Sequence, residues 1–474
     1  MQSDIGADMK LKIVTNSENF RNELEDIVRA FEPYVSLQED GEALAANVYI
    51  SEEESIETEI KMKDFPMVSR KYEVDPNWNA LLLKRNLKRY LKRDFYDFIS
   101  MLTKKTLAYG SLTGIRPTKL YYELLSEGKD AHSELTGYFR VSEGKAKLLD
   151  DIIQAQKGIY LAETEKTDFF VNIPFCPSRC HYCSFISEVI NPKNNKLPVY
   201  VEALCRDIAA VRLNKARRAI YVGGGTPTSL PPELLSRVLC AIDANGEEFT
   251  VEAGRPETLT EEKIAVMKES NVTRISVNPQ TFKQETLDII GRRHTAEDIF
   301  RAYDLVRKCG GFDVNMDFIT MLPGESFEDF RHSLDTAIAL APENITVHSL
   351  SIKRGSIFAE NNYDNFSDKL SLEMSDYAFN ALEKAGYRPY YMYRQKNTSG
   401  RLENIGYALP GKECKYNIDI MEETHDIYAS GAGAISKRLF GDGLIKRFAE
   451  VKDIKGYLER IDEMIEKKIA FFAE

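Results

Sequence analysis

From about residue 167 to 355 the hydrophobic pattern alternates between short apolar runs and longer stretches of helical period. The runs are DFFVNI from Asp168, RAIYVGGG from Arg218, EFTVEA from Glu248, VTRISVN from Val272, FDVNMDFI from Phe312 and ITVHSLSI from Ile345. Between them lie 198-PVYVEALCRDIAAV-211, 231-PPELLSRVLCAI-242, 260-TEEKIAVMKES-270, 295-TAEDIFRAYDLVRKC-309 and 326-SFEDFRHSLDTAIAL-340. Apolar strands each followed by an amphipathic helix predict an α/β core with a parallel sheet and right-handed crossovers. The pattern alone is compatible with an open doubly wound sheet or with a closed or partial barrel. Either way, ligands gather at the carboxyl ends of the strands.

The flanks read differently. Residues 1–160 predict a strand from Lys10 to Thr15, an amphipathic helix from Ser17 to Phe31 and a long helical region from Asn79 to Leu107. The last hundred or so residues hold a tyrosine-rich run, 387-YRPYYMYRQK-396, a glycine-rich stretch, 430-SGAGAISK-437, and a terminal helix. We therefore expect three parts: 1–160, a core at 161–360, and 361–474.

Composition narrows the class. With 474 residues, 43% hydrophobic and 29% charged, the chain is long enough for several domains and a large core. No apolar stretch reaches the roughly 18 residues of a spanning helix. The start MQSDIGADMK lacks a basic region followed by an apolar one. The expectation is a soluble, cytoplasmic protein with no membrane partner. A net charge of −11 argues against wholesale nucleic-acid binding but leaves room for a local basic patch. One such patch is 83-LKRNLKRYLKRDF-95, in which Leu83, Leu87 and Leu91 share a helix face and six cations occupy the others. It reads either as a solvated face or as a polyanion site.

Seven cysteines are an odd count, and Cys205, Cys240, Cys309 and Cys414 are scattered. The other three fall within 172-NIPFCPSRCHYCSF-185, as Cys176, Cys180 and Cys183, directly after the first core strand. In a reducing compartment such a trio reads as metal binding or catalysis. Zinc would want a fourth ligand, and His181 would usually point away from Cys183 inside the short spacer. A [4Fe–4S] cluster held by three cysteines leaves one iron open to an outside ligand. Three free buried thiols are the remaining alternative.

The other strand ends carry their own chemistry. Gly223-Gly224-Gly225-Thr226 ends the second run, where glycines let backbone approach a ligand closely. Glu252 ends the third, Gln280 and then Arg292 follow the fourth, and Asp317 sits in the fifth. Each could be a satisfied polar residue at a strand end; a carboxylate among apolar neighbours still demands a partner.

C-x3-C-x2-C after a first strand resembles the signature of radical S-adenosyl-L-methionine enzymes. The combination with GGGTPT, a glutamate-bearing third strand and PQTF…GRRHT resembles the oxygen-independent coproporphyrinogen III oxidases (coproporphyrinogen dehydrogenases) of the HemZ type. The segments 111-SLTGIRPTK-119, 252-EAGRPETLT-260, 393-YRQKN-397 and 403-ENIGYALPG-411 resemble the same subgroup.

This resemblance implies a partial (β/α)6 TIM-like barrel with an N-terminal α+β domain and a C-terminal α/β extension. It implies a [4Fe–4S] cluster on Cys176, Cys180 and Cys183, and S-adenosylmethionine, one molecule or two. The methionyl amino group would meet Gly224, Gly225 and Thr226, and the adenine would lie near Tyr182. Glu252, Gln280, Arg292 and Asp317 would contact the rest of that cofactor, with Arg292 on its carboxylate. The implied reaction is oxidative decarboxylation of the tetrapyrrole coproporphyrinogen III, fed by an electron donor such as flavodoxin or ferredoxin. Arg394, Lys396 and Arg116 are candidate cations for the substrate carboxylates.

The sequence departs from the better-studied members at three places. Phe185 stands where they carry another cysteine, and Phe170 and Asn172 stand where they carry tyrosine and histidine. A haem chaperone of the HemW type is the leading alternative. Its HN-x2-YW-like element is replaced here by 414-CKYNIDIM-421, and the sole tryptophan is Trp78. A radical enzyme that opens haem is a third reading, and radical tRNA modification a fourth, with no recognisable RNA-binding domain.

Overall fold

The computed structural model describes residues 9–32, 34–51, 55–114, 116–161, 165–185, 188–191, 196–210, 216–361, 363, 367–395, 398, 402–441 and 444–473. The chain divides into two compact units, Met1–Asp150 and Asp151–Glu474.

In the first unit, β1 (Met9–Val14), β2 (Val35–Leu37), β3 (Glu42–Ile50), β4 (Ser55–Met62) and β5 (Val68–Glu73) form a sheet in the order β2-β1-β3-β4-β5. Strand β1 is parallel to both neighbours, and β3, β4 and β5 run antiparallel. Helices α1 (Arg21–Ala30) and α2 (Ala80–Thr103) close over it on a core that includes Leu11, Ile13, Leu24, Ile27, Leu44, Ile60, Leu91 and Phe95. Helix α2 starts where Asn79 caps the amide of Leu82 at 2.9 Å. It ends before Leu107 because Lys104 turns left-handed, at φ 55°. The carboxylate of its fully buried Asp94 accepts from Tyr72 at 2.5 Å, and also from Thr58 and Arg70, which ties helix to sheet. A third helix, α3, spans Pro117–Ser126. The apolar pattern foresaw β1 and the two helices but not β2 to β5; in β4 and β5 charged outward residues break up the apolar alternation.

The second unit is built on the six expected runs. They form β6 (Lys166–Ile173), β7 (Ala216–Gly224), β8 (Gly246–Glu252), β9 (Arg274–Ser276), β10 (Asp313–Thr320) and β11 (Asn344–Ser349), parallel and side by side in chain order. Helices Leu197–Ala210, Pro232–Ala241, Glu261–Glu269, Ala296–Cys309, Phe327–Leu340 and Asp368–Lys384 follow them in turn. Two of these begin with reciprocal capping boxes, Thr295 with Asp298 and Ser326 with Asp329, as their sequences suggest. The strands bury Phe169, Val171, Val222, Val251, Ile275 and Met316. This is a partial (β/α)6 barrel.

The stretch beyond residue 361 extends the same sheet at both edges. Strands β12 (Arg388–Arg394) and β13 (Glu403–Ala408) add beyond β11 by antiparallel pairing. On the other edge β14 (Asp426–Ser430) pairs parallel with β6, followed by antiparallel β15 (Ile435–Leu439) and β16 (Ile445–Ala449). Among the described residues no helix is long and apolar enough to cross a membrane.

Candidate functional site

The cysteine segment leaves β6 and is clamped at its far side by the loop that follows β9. Phe175–Cys176 pairs with Glu188–Val189. The amide of His181 donates to Ile290 O at 2.9 Å, and its ring Nδ1 lies 2.7 Å from Ile289 O. Gly291 permits this approach: it has φ 74°, and a Cβ there would meet the His181 ring at 2.8 Å. His181 is thus occupied away from the sulfurs, as its place in the spacer suggests. Cys176, Cys180 and Cys183 are all half-buried and none forms a disulfide. Burial pushes the Cys183 thiol up to about 11. Phe185, two residues on, is 72% exposed.

Two donors reach the sulfurs. Thr226 Oγ1 lies 3.6 Å from Cys176 Sγ, and Arg255 Nη1 lies 3.4 Å from Cys180 Sγ. The glycine loop packs against the same segment: the amides of Gly225 and Thr226 donate to Ile173 O and Phe175 O at 2.9 and 2.7 Å. Gly224 has φ 106°, and a Cβ there would overlap the Asn172 side chain. A Cβ on Gly223 would meet the Glu252 carboxylate at 2.8 Å. Side chains are excluded from this cradle on two sides.

The remaining strand-end residues surround the same rim. Arg292 is 3% exposed; it donates to Tyr182 Oη at 3.3 Å, to Asn278 O at 3.0 Å and to Gly254 O. Glu252 accepts from Tyr221 Oη at 2.5 Å. Burial raises its carboxyl to about 7; the Tyr221 bond opposes this and the Asp317 charge adds to it. Asp317 is also pushed up by burial, but His348, 3.7 Å away, and Asn315 outweigh that and leave it lowered. Gln280 is 8% exposed and sits at φ 67°, an uncommon conformation for a residue with a Cβ. Its amide donates to Asp317 O at 2.8 Å.

Three buried atoms here have no hydrogen-bond partner: Gln280 Oε1, Arg292 Nε and Asn278 Oδ1. Unpaired buried polar atoms are costly, so their convergence on one rim points to a polar ligand. The candidate substrate cations divide. Arg394 ends β12 and is half-buried, Arg116 belongs to the first unit, and Lys396 lies outside the described residues.

Sequence reasoning passed over Arg255, Tyr221 and His348. Arg255, 3% exposed, holds Ser178 Oγ at 2.8 Å and Glu257 at 2.7 Å as well as the Cys180 sulfur. Glu257 in turn pairs with the buried His294 at 3.0 Å. An arginine three residues beyond a strand end was a visible signal, but nothing in the sequence alone aimed it at a cysteine.

The signature of the Radical SAM superfamily matches residues 171–337. The chain is 38% identical, over 412 residues, to the oxygen-independent coproporphyrinogen-III oxidase-like protein HemZ of Bacillus subtilis, covering 82% of each chain. It belongs to that family, within the radical SAM superfamily. It is also 31% identical to the heme chaperone HemW of Lactococcus lactis, over 56% of this chain and 68% of that one. The solved structure of the coproporphyrinogen III oxidase HemN of Escherichia coli shares the fold, with a TM-score of 0.52 at 22% identity, covering 68% of this chain and 73% of that one.

A radical SAM domain implies an iron–sulfur cluster and S-adenosylmethionine. The residues of this family member fit both. Three cysteines outside any disulfide, with two polar donors beside them, suit thiolate ligation. The side-chain-free cradle and the three unpartnered buried atoms suit a small polar ligand.

Proposed function

We propose that this protein is a radical S-adenosylmethionine enzyme that oxidatively decarboxylates coproporphyrinogen III in haem biosynthesis. The carrying observation is the 38% identity to HemZ over 82% of both chains. The contacts of Arg255 with Cys180 and of Arg292 with Tyr182 in the cysteine segment support it. In this reading Cys176, Cys180 and Cys183 would hold a [4Fe–4S] cluster, with S-adenosylmethionine bound beside it. When bound, the pair supplies a 5′-deoxyadenosyl radical.

The chain's own groups then bind and orient. Arg292 meets the methionyl carboxylate with the edge that carries its unpartnered Nε. The amides of Gly225 and Thr226 are already engaged, so an ammonium group at Gly224, Gly225 and Thr226 is met by carbonyl oxygens. Glu252, Gln280 and Asp317 supply acceptors for hydroxyls and amine of the nucleoside part, with Tyr182 beside the adenine. Arg394 and Lys396 serve the substrate carboxylates. Each of two propionates would give up a hydrogen atom from its β-carbon to the cofactor-derived radical, then release carbon dioxide and pass one electron to an electron acceptor, leaving a vinyl group. The electron that starts each cycle comes from a donor such as flavodoxin or ferredoxin.

The test incubates reduced, anaerobically reconstituted protein with S-adenosylmethionine and either coproporphyrinogen III or haem, and reads products by mass spectrometry. Successive loss of two carboxyl groups from coproporphyrinogen III is expected. Stoichiometric haem capture without turnover would overturn the reading in favour of a chaperone.

A further inference from the structure

The basic helix α2 is not absorbed by the cofactor site. Along it Lys84, Lys88 and Lys92 repeat at i,i+4, and so do Arg85, Arg89 and Arg93, with no acid between them. Like charges at that spacing repel, whereas an ordinary solvated face interleaves acids. Arg93 finds a use inside the fold, its guanidinium over the rings of Tyr138 and Tyr72 at 4.5 and 5.2 Å. Arg85, Lys88, Arg89 and Lys92 instead line a cavity of about 400 Å³.

The far wall of this cavity is formed by Gly114, Arg116, Pro117, Lys119 and Leu120. Arg116 and Lys119, at the start of α3, line it too, so two basic stretches distant in sequence face one space. The walls are fixed to each other: Lys92 donates to Thr113 at 2.8 Å and Arg89 to Glu123 at 2.6 Å. Glu123 is the single carboxylate among the described lining residues, against six cations. Lys88 also reaches Glu23 at 3.5 Å outside the lining, and the excess of cations in the lining favours an anion in the concavity. The N-terminal end of α3 adds partial positive charge. Leu112, Leu120 and Phe139 supply an apolar side.

We propose that this cavity binds a phosphate-dense anion of nucleotide chemistry, with its phosphates on the cations and its base against the apolar side. Its volume falls within the usual range of about 300 to 1,000 Å³ for small-molecule sites. A run of phosphates concentrates charge within such a volume. Four propionates at the corners of a macrocycle spread theirs beyond it. The phosphates come either from a free nucleoside polyphosphate or from a phosphodiester strand.

Full-length protein is titrated at low salt with ATP, inorganic tripolyphosphate, a single-stranded RNA oligomer and coproporphyrin. ATP and tripolyphosphate are expected to bind, more weakly as salt rises. Arg85→Gln with Lys88→Gln, both partly exposed, is expected to weaken that binding about tenfold or more. Arg116→Gln provides a second variant should the first fail to fold. RNA that binds and is displaced by ATP assigns the strand as the source; ATP binding with no RNA binding assigns the free nucleotide. Failure of ATP and tripolyphosphate to bind, equal binding by the folded variants, or capture of coproporphyrin alone in this cavity overturns the proposal.

Discussion

Arg255 Nη1 lies 3.4 Å from Cys180 Sγ, and the same guanidinium is braced by Glu257 and Ser178. A guanidinium fixed in this way donates a hydrogen bond to the cysteine sulfur. In iron–sulfur proteins such bonds help set the reduction potential.

Replacing Arg255 with Lys keeps the charge but loses the fork that spans sulfur, Ser178 and Glu257. The reconstituted variant is expected to hold about four irons per chain, as is expected of the parent, with a more negative potential in a spectroscopic redox titration. Cys176→Ala in parallel should lose the cluster and its absorption. A potential unchanged in Arg255→Lys would reduce Arg255 to a brace for Ser178.

Gly224 tests the cradle. Its φ of 106° is open to glycine, and a Cβ would overlap the Asn172 side chain. Gly224→Ala is expected to destabilise the protein by ~1–3 kcal/mol and to lower S-adenosylmethionine binding in equilibrium dialysis. Adding Asn172→Ala removes the overlapped oxygen but not the backbone strain, so stability measured by urea unfolding should recover only in part.

Glu252 carries a pH signature. Folded, it holds its proton to about pH 7; its ordinary value is 4.5. The folded chain therefore binds more protons than the unfolded chain between those limits. Stability should fall as pH rises from about 4.5 to 7, and level off above. The step is at most ~3 kcal/mol, less what solvent screens. Glu252→Gln removes the titrating group and should flatten this slope in urea unfolding curves at pH 5, 6, 7 and 8. An unchanged slope would place the titration elsewhere.

The barrel was legible because each of its parallel strands is buried on both faces and reads as a continuous apolar run. The consecutive Phe249, Thr250 and Val251 in β8 show this, all at 2% exposure or less. Strand β4 did not announce itself, although Ile56, Thr58, Ile60 and Met62 alternate inward. Its other face carries Glu57, Glu59 and Lys61, so the run looks polar as a whole. The site residues at strand ends were visible as polar interruptions of apolar runs. Arg255 and His348 act through neighbours brought from other strands, and no local pattern encodes such pairings. Nor could the sequence show that α2 and the GIRPTK segment share a cavity, since only the folded backbone brings them together.

Gln280 separates function from stability most sharply. It adopts φ 67° with its side-chain oxygen buried and unpartnered. Both features cost stability in the folded chain: strained backbone contributes of order 1–3 kcal/mol and an unpaired buried polar group a comparable amount. Glycine accepts this conformation freely and leaves no orphan oxygen, though it gives up entropy to order. Gln280→Gly is therefore expected to leave the melting temperature of the cofactor-free protein unchanged or higher, while S-adenosylmethionine binding weakens about tenfold for one lost hydrogen bond to a charged or polar ligand group. A variant that loses stability and binding together would mean that Gln280 holds the β9–β10 junction and has no ligand of its own.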